Sequence, residues 1–309
     1  MTRFFYPMSH REKAYYHLRS SPDVCRLIPW HDWYDALAPL IGALFPFCLI
    51  KPGETAVQVG CCGNFFERHG ASQPLLLAKC VGPTGRVIGV EVNPESISAL
   101  ERAKAIAGTP WLELVNYAAS DHSGEIQGLS FSGQFTFWRR PDDFVAKEAW
   151  DPSQPLTAGR ARGWLKQMYD NLESYGQSVT VRAERLETIL TEARARPSFI
   201  NLTLSGYEHI AIRGLGSLLD SDTVIAFPAL IAESFWHSGL LDELERHGFT
   251  LILSNTPHNI ETPWFPCMTA VRPHHLDRVT TLVPGRFVID PANPVITFLD
   301  EAGNRFLAT

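Results

Sequence analysis

The chain has 309 residues with 33 acidic and 27 basic side chains, a formal net charge of −6, so no general basic field is present to attract nucleic acid. Hydrophobic residues make up 45% and charged residues 19%, the balance of a globular protein with a sizeable core. No apolar run approaches the roughly 20 residues that cross a bilayer, and Met1-Thr-Arg-Phe-Phe-Tyr-Pro7 has neither the apolar stretch nor the cleavage site of a secretory leader. A cytoplasmic protein with no membrane partner is expected.

Residues 1–50 read as an N-terminal helical extension. Arg11–Arg19 and the aromatic-rich Trp30–Leu44 have helical patterns punctuated by Pro22, Pro29, Pro39 and Pro46. The rings of the second piece are expected to pack on the main domain, with a lid over a pocket as the alternative.

From about 51 to 127 the pattern alternates strand and helix. Ala56–Val59 is a short apolar run that breaks at Gly60, and a helical pattern follows from Phe65 towards Cys80. A strand that turns at glycine into a helix presents free backbone N–H groups to an anionic or polar cofactor head. Val87–Val92 is a second buried strand carrying Glu91 at its tip, where an acid can bind two ribose hydroxyls or simply cap the next helix. Pro94 suits the first position of that helix, because its missing N–H costs nothing there. Trp111–Val115 is the third strand. Alternation of this kind implies right-handed crossovers and a parallel sheet.

Residues 128–178 break the rhythm. Ser130–Trp138 alternates like an antiparallel pair, 139–155 is loop-like and 160–174 is a candidate helix. An excursion of this length inside an α/β domain is usually functional or a cover. Val179–Ala183 resumes the strand pattern, Leu186–Ala195 is helical, and Ser198–Leu204 is the fourth core strand. A helix from Tyr207 towards Leu219, a strand from Thr223, a helix Leu240–His247, a strand Thr250–Ser254 and a closing strand Trp264–Val271 complete a domain spanning 51–272. The tail, 273–309, holds a strand Arg286–Asp290 and a hairpin around Glu301–Asn304, a candidate edge element or homodimer contact.

The glycine corner lacks the dinucleotide fingerprint, since Cys62 stands at its second glycine position, and Glu91 follows Gly60 by more than the roughly 20 residues typical of it. An NAD enzyme is therefore disfavoured. Ser120 and Asp121, just past the third strand, lie where ligands bind in doubly wound sheets. Asp121 is a candidate acceptor for an adenine amino group, with an Asx turn into Ser123-Gly124 as the structural alternative. The six cysteines show no zinc-type spacing and read as free thiols; no metal site is expected.

Taken together, Val57-Gln-Val-Gly60, Val87-Ile-Gly-Val-Glu-Val-Asn-Pro-Glu95, Asn116–Glu125, Leu186–Leu190 and Phe199-Ile-Asn-Leu-Thr-Leu-Ser-Gly-Tyr-Glu208 with Ile212-Arg-Gly214 resemble the FkbM family of S-adenosylmethionine-dependent methyltransferases over roughly residues 50–255. The resemblance implies an α/β, Rossmann-like seven-stranded methyltransferase sheet and S-adenosyl-L-methionine as cofactor. It implies a cofactor site at Gln58, Gly60, Cys61, Cys62, Asn64, Glu91, Val92, Asn93, Ser120 and Asp121. It also implies in-line methyl transfer to a small-molecule acceptor such as a natural product or sugar hydroxyl.

Departures from the family pattern are informative. Gln58 stands where the family carries an acid, and the family's Asp-x-Glu-Gly appears as Thr203-Leu-Ser-Gly206. Thr and Ser are neither strong bases nor good metal ligands alone, so metal-independent transfer is expected, with Thr203, Ser205 and His209 as the candidate catalytic residues. His122 and His237 are secondary candidates for a base. A non-catalytic binding or scaffold protein, and an enzyme using the cofactor for an elimination or rearrangement, are the competing functions.

Overall fold

The computed structural model describes residues 3–9, 38–61, 72–131, 134–136, 170–171, 173–204, 207–229, 239–257, 266–290 and 293–307. In chain order the strands are β1 (Arg3–Tyr6), β2 (Thr55–Val59), β3 (Arg86–Glu91), β4 (Leu112–Asn116), β5 (Ala118–Ser120), β6 (Gly124–Phe131), β7 (Gln134–Thr136) and β8 (Gln177–Arg185). They continue with β9 (Phe199–Leu202), β10 (Val224–Pro228), β11 (Thr250–Pro257), β12 (Pro266–Val271), β13 (Val283–Asp290), β14 (Asn293–Asp300) and β15 (Arg305–Leu307). The helices are α1 (Gln73–Val81), α2 (Pro94–Ala107), α3 (Leu186–Glu192), α4 (Glu208–Arg213) and α5 (Leu240–Arg246).

The fold is α/β, with a central sheet ordered β15-β14-β13-β1-β11-β12-β10-β9-β2-β3-β4. Strands β10, β9, β2, β3 and β4 run parallel, and β12 lies antiparallel between β10 and β11. Its seven central strands, β4 through β11, form the Rossmann-like sheet expected from the sequence; four more strands extend it to eleven.

The apolar runs of the central strands follow from burial on both faces. Side chains alternate: Val57, Val59, Ile88, Val90, Ile200 and Leu202 enter one buried cluster, while Ala56, Val87, Phe199, Val224 and Ala226 enter the other. Helix α1 packs Leu75, Leu76 and Leu77 into the core with none of their surface exposed. Asn93 caps α2 by accepting the Glu95 N–H at 2.9 Å, Pro94 occupies its first turn, and Gly108 ends it in the left-handed region.

Several elements differ from the sequence expectation. Arg3–Tyr6, expected within a helical extension, forms a strand wedged between β11 (parallel) and β13 (antiparallel). Phe5 anchors it: its ring lies 5.6 Å from Phe298 and 5.1 Å from Phe306 and is buried. The tail forms β13, β14 and β15 at the edge of the central sheet, the edge-element reading of its strand and hairpin. Ala118–Ser120 departs from the third strand to pair with β8, starting a separate sheet ordered β5-β8-β6-β7. The antiparallel pair read around Ser130 is present as β6 and β7. The helix expected from Tyr207 to Leu219 ends as α4 at Arg213 and resumes as a 3-10 turn over Gly216–Asp220. The candidate helix Arg11–Arg19 lies outside the described residues, and of Trp30–Leu44 the described part is helical over 38–42. Among the described residues, no helix is long and apolar enough to cross a membrane.

Candidate functional site

Because β2, β3 and β9 are parallel and in register, Val59, Glu91 and Leu202 finish on one edge of the sheet. From β2 the chain builds outward through β3 and β4, then returns to place β9 and β10 on the opposite side. The β2/β9 boundary is thus a topological switch point, the place where ligands bind in open α/β sheets.

Gly60 makes the sharp turn at that boundary. Its φ is +79°, and an added Cβ would collide with the Thr203 carbonyl oxygen. Only glycine permits both the conformation and the approach. The corner is held on both sides: the Gly60 N–H donates to Val90 O at 2.9 Å, and the Thr203 N–H to Val59 O at 2.8 Å.

Glu91 closes the other side. Its Oε2 accepts the Cys61 N–H and its Oε1 accepts the Asn93 N–H, each at 2.7 Å. The residue is only 7% exposed. Burial pushes its carboxyl up to about 7, and the N–H groups of Asn93, Cys61 and Val92 oppose the rise. The helix cap is Asn93 rather than Glu91, so the capping alternative does not describe this acid. Asn116 supports the turn beneath, its Nδ2 donating at 2.8 Å to both Glu91 O and Val92 O.

Below the corner lies a buried amide pair. Gln58 Nε2 donates to Gly60 O at 2.9 Å, to Val59 O at 3.2 Å and to Thr203 Oγ1 at 3.3 Å. Gln58 Oε1 accepts the Asn201 Nδ2–H at 2.8 Å. A carboxylate at position 58 could accept from Asn201 but donate to none of the three oxygens. Gln58 and Thr203 thus form a matched set. Gln58 has none of its surface exposed, so it shapes the corner from beneath.

The structure therefore brings together Gln58, Gly60, Cys61, Glu91, Val92, Asn93 and Thr203. Ser120, Asp121 and His122 form a second group at the β5–β6 turn: His122 Nδ1 lies 3.0 Å from Ser120 Oγ and 2.8 Å from Asp121 Oδ1. The hydrogen bond with His122 holds the Asp121 carboxyl below its ordinary range. The Asp121 side chain is 43% exposed, whereas Ser120 is buried. His209 sits partly buried in α4, one residue after Glu208. Cys62, Asn64, Ser205 and His237 lie outside the described residues.

Sequence reasoning missed two participants. Asn201 holds Gln58 from the facing strand, and a polar residue inside an otherwise apolar strand was the available signal. Glu208, buried, accepts the Leu204 N–H at 2.7 Å through Oε1 and so anchors the Thr203–Leu204 segment; its place in the Ser205–Glu208 stretch gave no indication of that bond.

No protein-family model and no curated protein matches the chain. Among solved structures, it is similar to cofactor-bound Rv0187 from MTB, with 13% identity, 84% of this chain and 87% of that one covered, and a TM-score of 0.38. Aeropyrum pernix fibrillarin in complex with natively bound S-adenosyl-L-methionine gives 11% identity, 78% and 76% coverage and a TM-score of 0.40. The O-methyltransferase from Bacillus cereus in complex with SAH gives 11%, 86% and 92%, and 0.34. These likenesses are distant.

Proposed function

We propose that the chain is an S-adenosyl-L-methionine-dependent methyltransferase acting on a small molecule, most simply an O-methyltransferase of the kind the FkbM-like motifs imply. The observation that carries this reading is the buried Glu91 carboxylate held against the glycine corner at the switch point of the sheet. The two carboxylate oxygens together offer about four lone-pair sites, and three backbone N–H groups (Cys61, Asn93 and Val92) act on them, so acceptor capacity is left for a ribose hydroxyl. The donor set fits the cofactor. The amino-acid arm would lie at the Gly60 corner, Glu91 takes the sugar, and Asp121 takes the adenine amino group.

S-adenosyl-L-methionine supplies an electrophilic methyl group when bound. The protein's contribution is then chiefly alignment and exclusion of water, and correct orientation alone is worth up to about 7–11 kcal/mol. Thr203 Oγ1 faces the Gln58 amide at 3.3 Å, and a neutral hydroxyl so engaged is a weak base. An acceptor that is already nucleophilic, or a proton relay through His209, suits such a site better than strong-base catalysis. Metal-independent transfer in a soluble, cytoplasmic setting remains part of this proposal, as does a homodimer formed through the C-terminal hairpin.

The engagement of Gln58 with Thr203 favours a second reading, a cofactor-binding protein without transfer activity. Incubation with methyl-labelled S-adenosyl-L-methionine and an extract of the source organism separates the two. Label appearing in a small-molecule fraction, and lost with Glu91→Gln, supports transfer. Cofactor binding without label transfer supports the second reading, and absence of both removes the proposal.

A further inference from the structure

At the opposite edge of the sheet, three side chains converge that play no part in the proposed chemistry. Asp222 immediately precedes Thr223 and β10, at its amino end. His274 and His275 lie in the 3-10 turn Pro273–Arg278 that follows β12. Since β12 is antiparallel to β10, its last residues and the start of β10 share the amino edge. The Nε2 atoms of His274 and His275 each lie 3.0 Å from Asp222 Oδ1, and the two rings are 4.3 Å apart. All three ligand atoms fall within 4.8 Å of one another.

We propose that Asp222, His274 and His275 form a binding site for one divalent transition-metal ion of the zinc class, a clip between the loop entering β10 and the turn leaving β12. Two nitrogens and one carboxylate oxygen are a borderline donor set that suits zinc and its neighbours rather than calcium or magnesium. Ligands about 2.0–2.1 Å from a tetrahedral ion stand about 3.3 Å apart, so the two 3.0 Å nitrogen–oxygen separations need to open by only a few tenths of an ångström, and the two histidine nitrogens lie within 4.8 Å of each other. His275 is buried to 9% exposure, while the His274 and Asp222 side chains are 61% exposed. One ligand is therefore fixed in the body of the protein, and a fourth coordination position faces solvent.

Arg272 preorganises the frame. It donates through Nε to Ser221 O at 2.9 Å and through Nη2 to Leu219 O at 2.5 Å, and it also bonds His247 O. Its guanidinium lies 4.1 Å from the centre of the Phe249 ring. The loop carrying Asp222 is thus tied to the residue just before the histidine turn, so the ligands are held in place without an ion. This departs from the expectation of no metal site. The signal was weak in sequence because Asp222 and His275 are 53 residues apart and the histidines are adjacent rather than spaced.

The test is titration of chelator-treated full-length protein with Zn²⁺ by calorimetry and with Co²⁺ by visible absorption, repeated on Asp222→Asn and His274→Ala. Both substitutions are at exposed positions and are expected to leave the fold intact. The expected result is one high-affinity ion per chain, at least tenfold weaker in each variant, with saturating Zn²⁺ raising Tm by roughly 5 °C or more only in the unsubstituted protein. The absence of binding, or binding that both variants retain unchanged, overturns the assignment. Cofactor affinity at the other sheet edge is measured in parallel and is expected to be the same with and without Zn²⁺.

Discussion

The Glu91 carboxylate accepts the Cys61 backbone N–H at 2.7 Å, tying the tip of β3 to the glycine corner after β2. One buried acid therefore both builds the corner and stands ready for a ligand. Its protonation state links the two roles, because burial lifts its carboxyl to about 7.

A pH dependence follows. The folded-state value lies above the ordinary carboxyl value of 4.5, so the protonated form is favoured in the folded protein. Glu91's contribution to stability is then full below about pH 4.5 and lost as pH rises through about 7. Binding of ribose hydroxyls favours the ionised form, so affinity for S-adenosyl-L-methionine should rise between pH 6 and 8. Calorimetry across that range should show the rise, and Glu91→Gln should abolish it.

Gly60→Ala is expected to remove cofactor binding and lower Tm. The left-handed conformation costs a non-glycine residue roughly 1–2 kcal/mol, and the new methyl group would meet the Thr203 carbonyl. Thermal melts and ligand titration of the variant provide the check. A fully stable, fully binding Gly60→Ala would contradict the geometry of the corner.

Gln58→Glu places an acid where the FkbM pattern carries one and is expected to destabilise this chain. A carboxylate there faces Gly60 O, Val59 O and Thr203 Oγ1 with no hydrogen to offer the two carbonyls, costing about 1–3 kcal/mol. The loss should deepen as pH rises, because the buried carboxyl is tolerated only when protonated. Denaturant melts at pH 5 and pH 8 measure this directly.

Asp121→Ala should leave Tm within about 1 °C, since the side chain is partly exposed and its pair with His122 is a surface one. Affinity for the cofactor should fall several-fold if the carboxylate holds the adenine amino group. An unchanged affinity would assign Asp121 to the β5–β6 turn alone.

The strands were legible where burial on both faces writes itself as an apolar run, as in Ala56–Val59 and Phe199–Leu202. Helix α2 was legible because Pro94 marks its start. The corner at Gly60 and the acid at Glu91 followed from their positions at strand ends. What could not be read depends on long-range pairing. No strand was read at Arg3–Tyr6, because its pairing depends on Phe5 packing on Phe298 and Phe306, contacts the local sequence cannot announce. Strand β5 leaves the central sheet for β8 across more than 60 residues of chain. The Gln58–Asn201 bond joins strands 143 residues apart, so Gln58 looked like a lost acid when it is half of an amide pair.

The most direct measurement is calorimetric titration of the full-length protein at pH 8 with S-adenosyl-L-methionine and its demethylated product, alongside Glu91→Gln. One-site binding tighter than roughly 100 μM, weakened at least tenfold in the variant, is the predicted result and corresponds to a loss of at least about 1.4 kcal/mol. No detectable binding at roughly 1 mM ligand, or equal affinity in the two proteins, would contradict a site that grips the cofactor's sugar through Glu91.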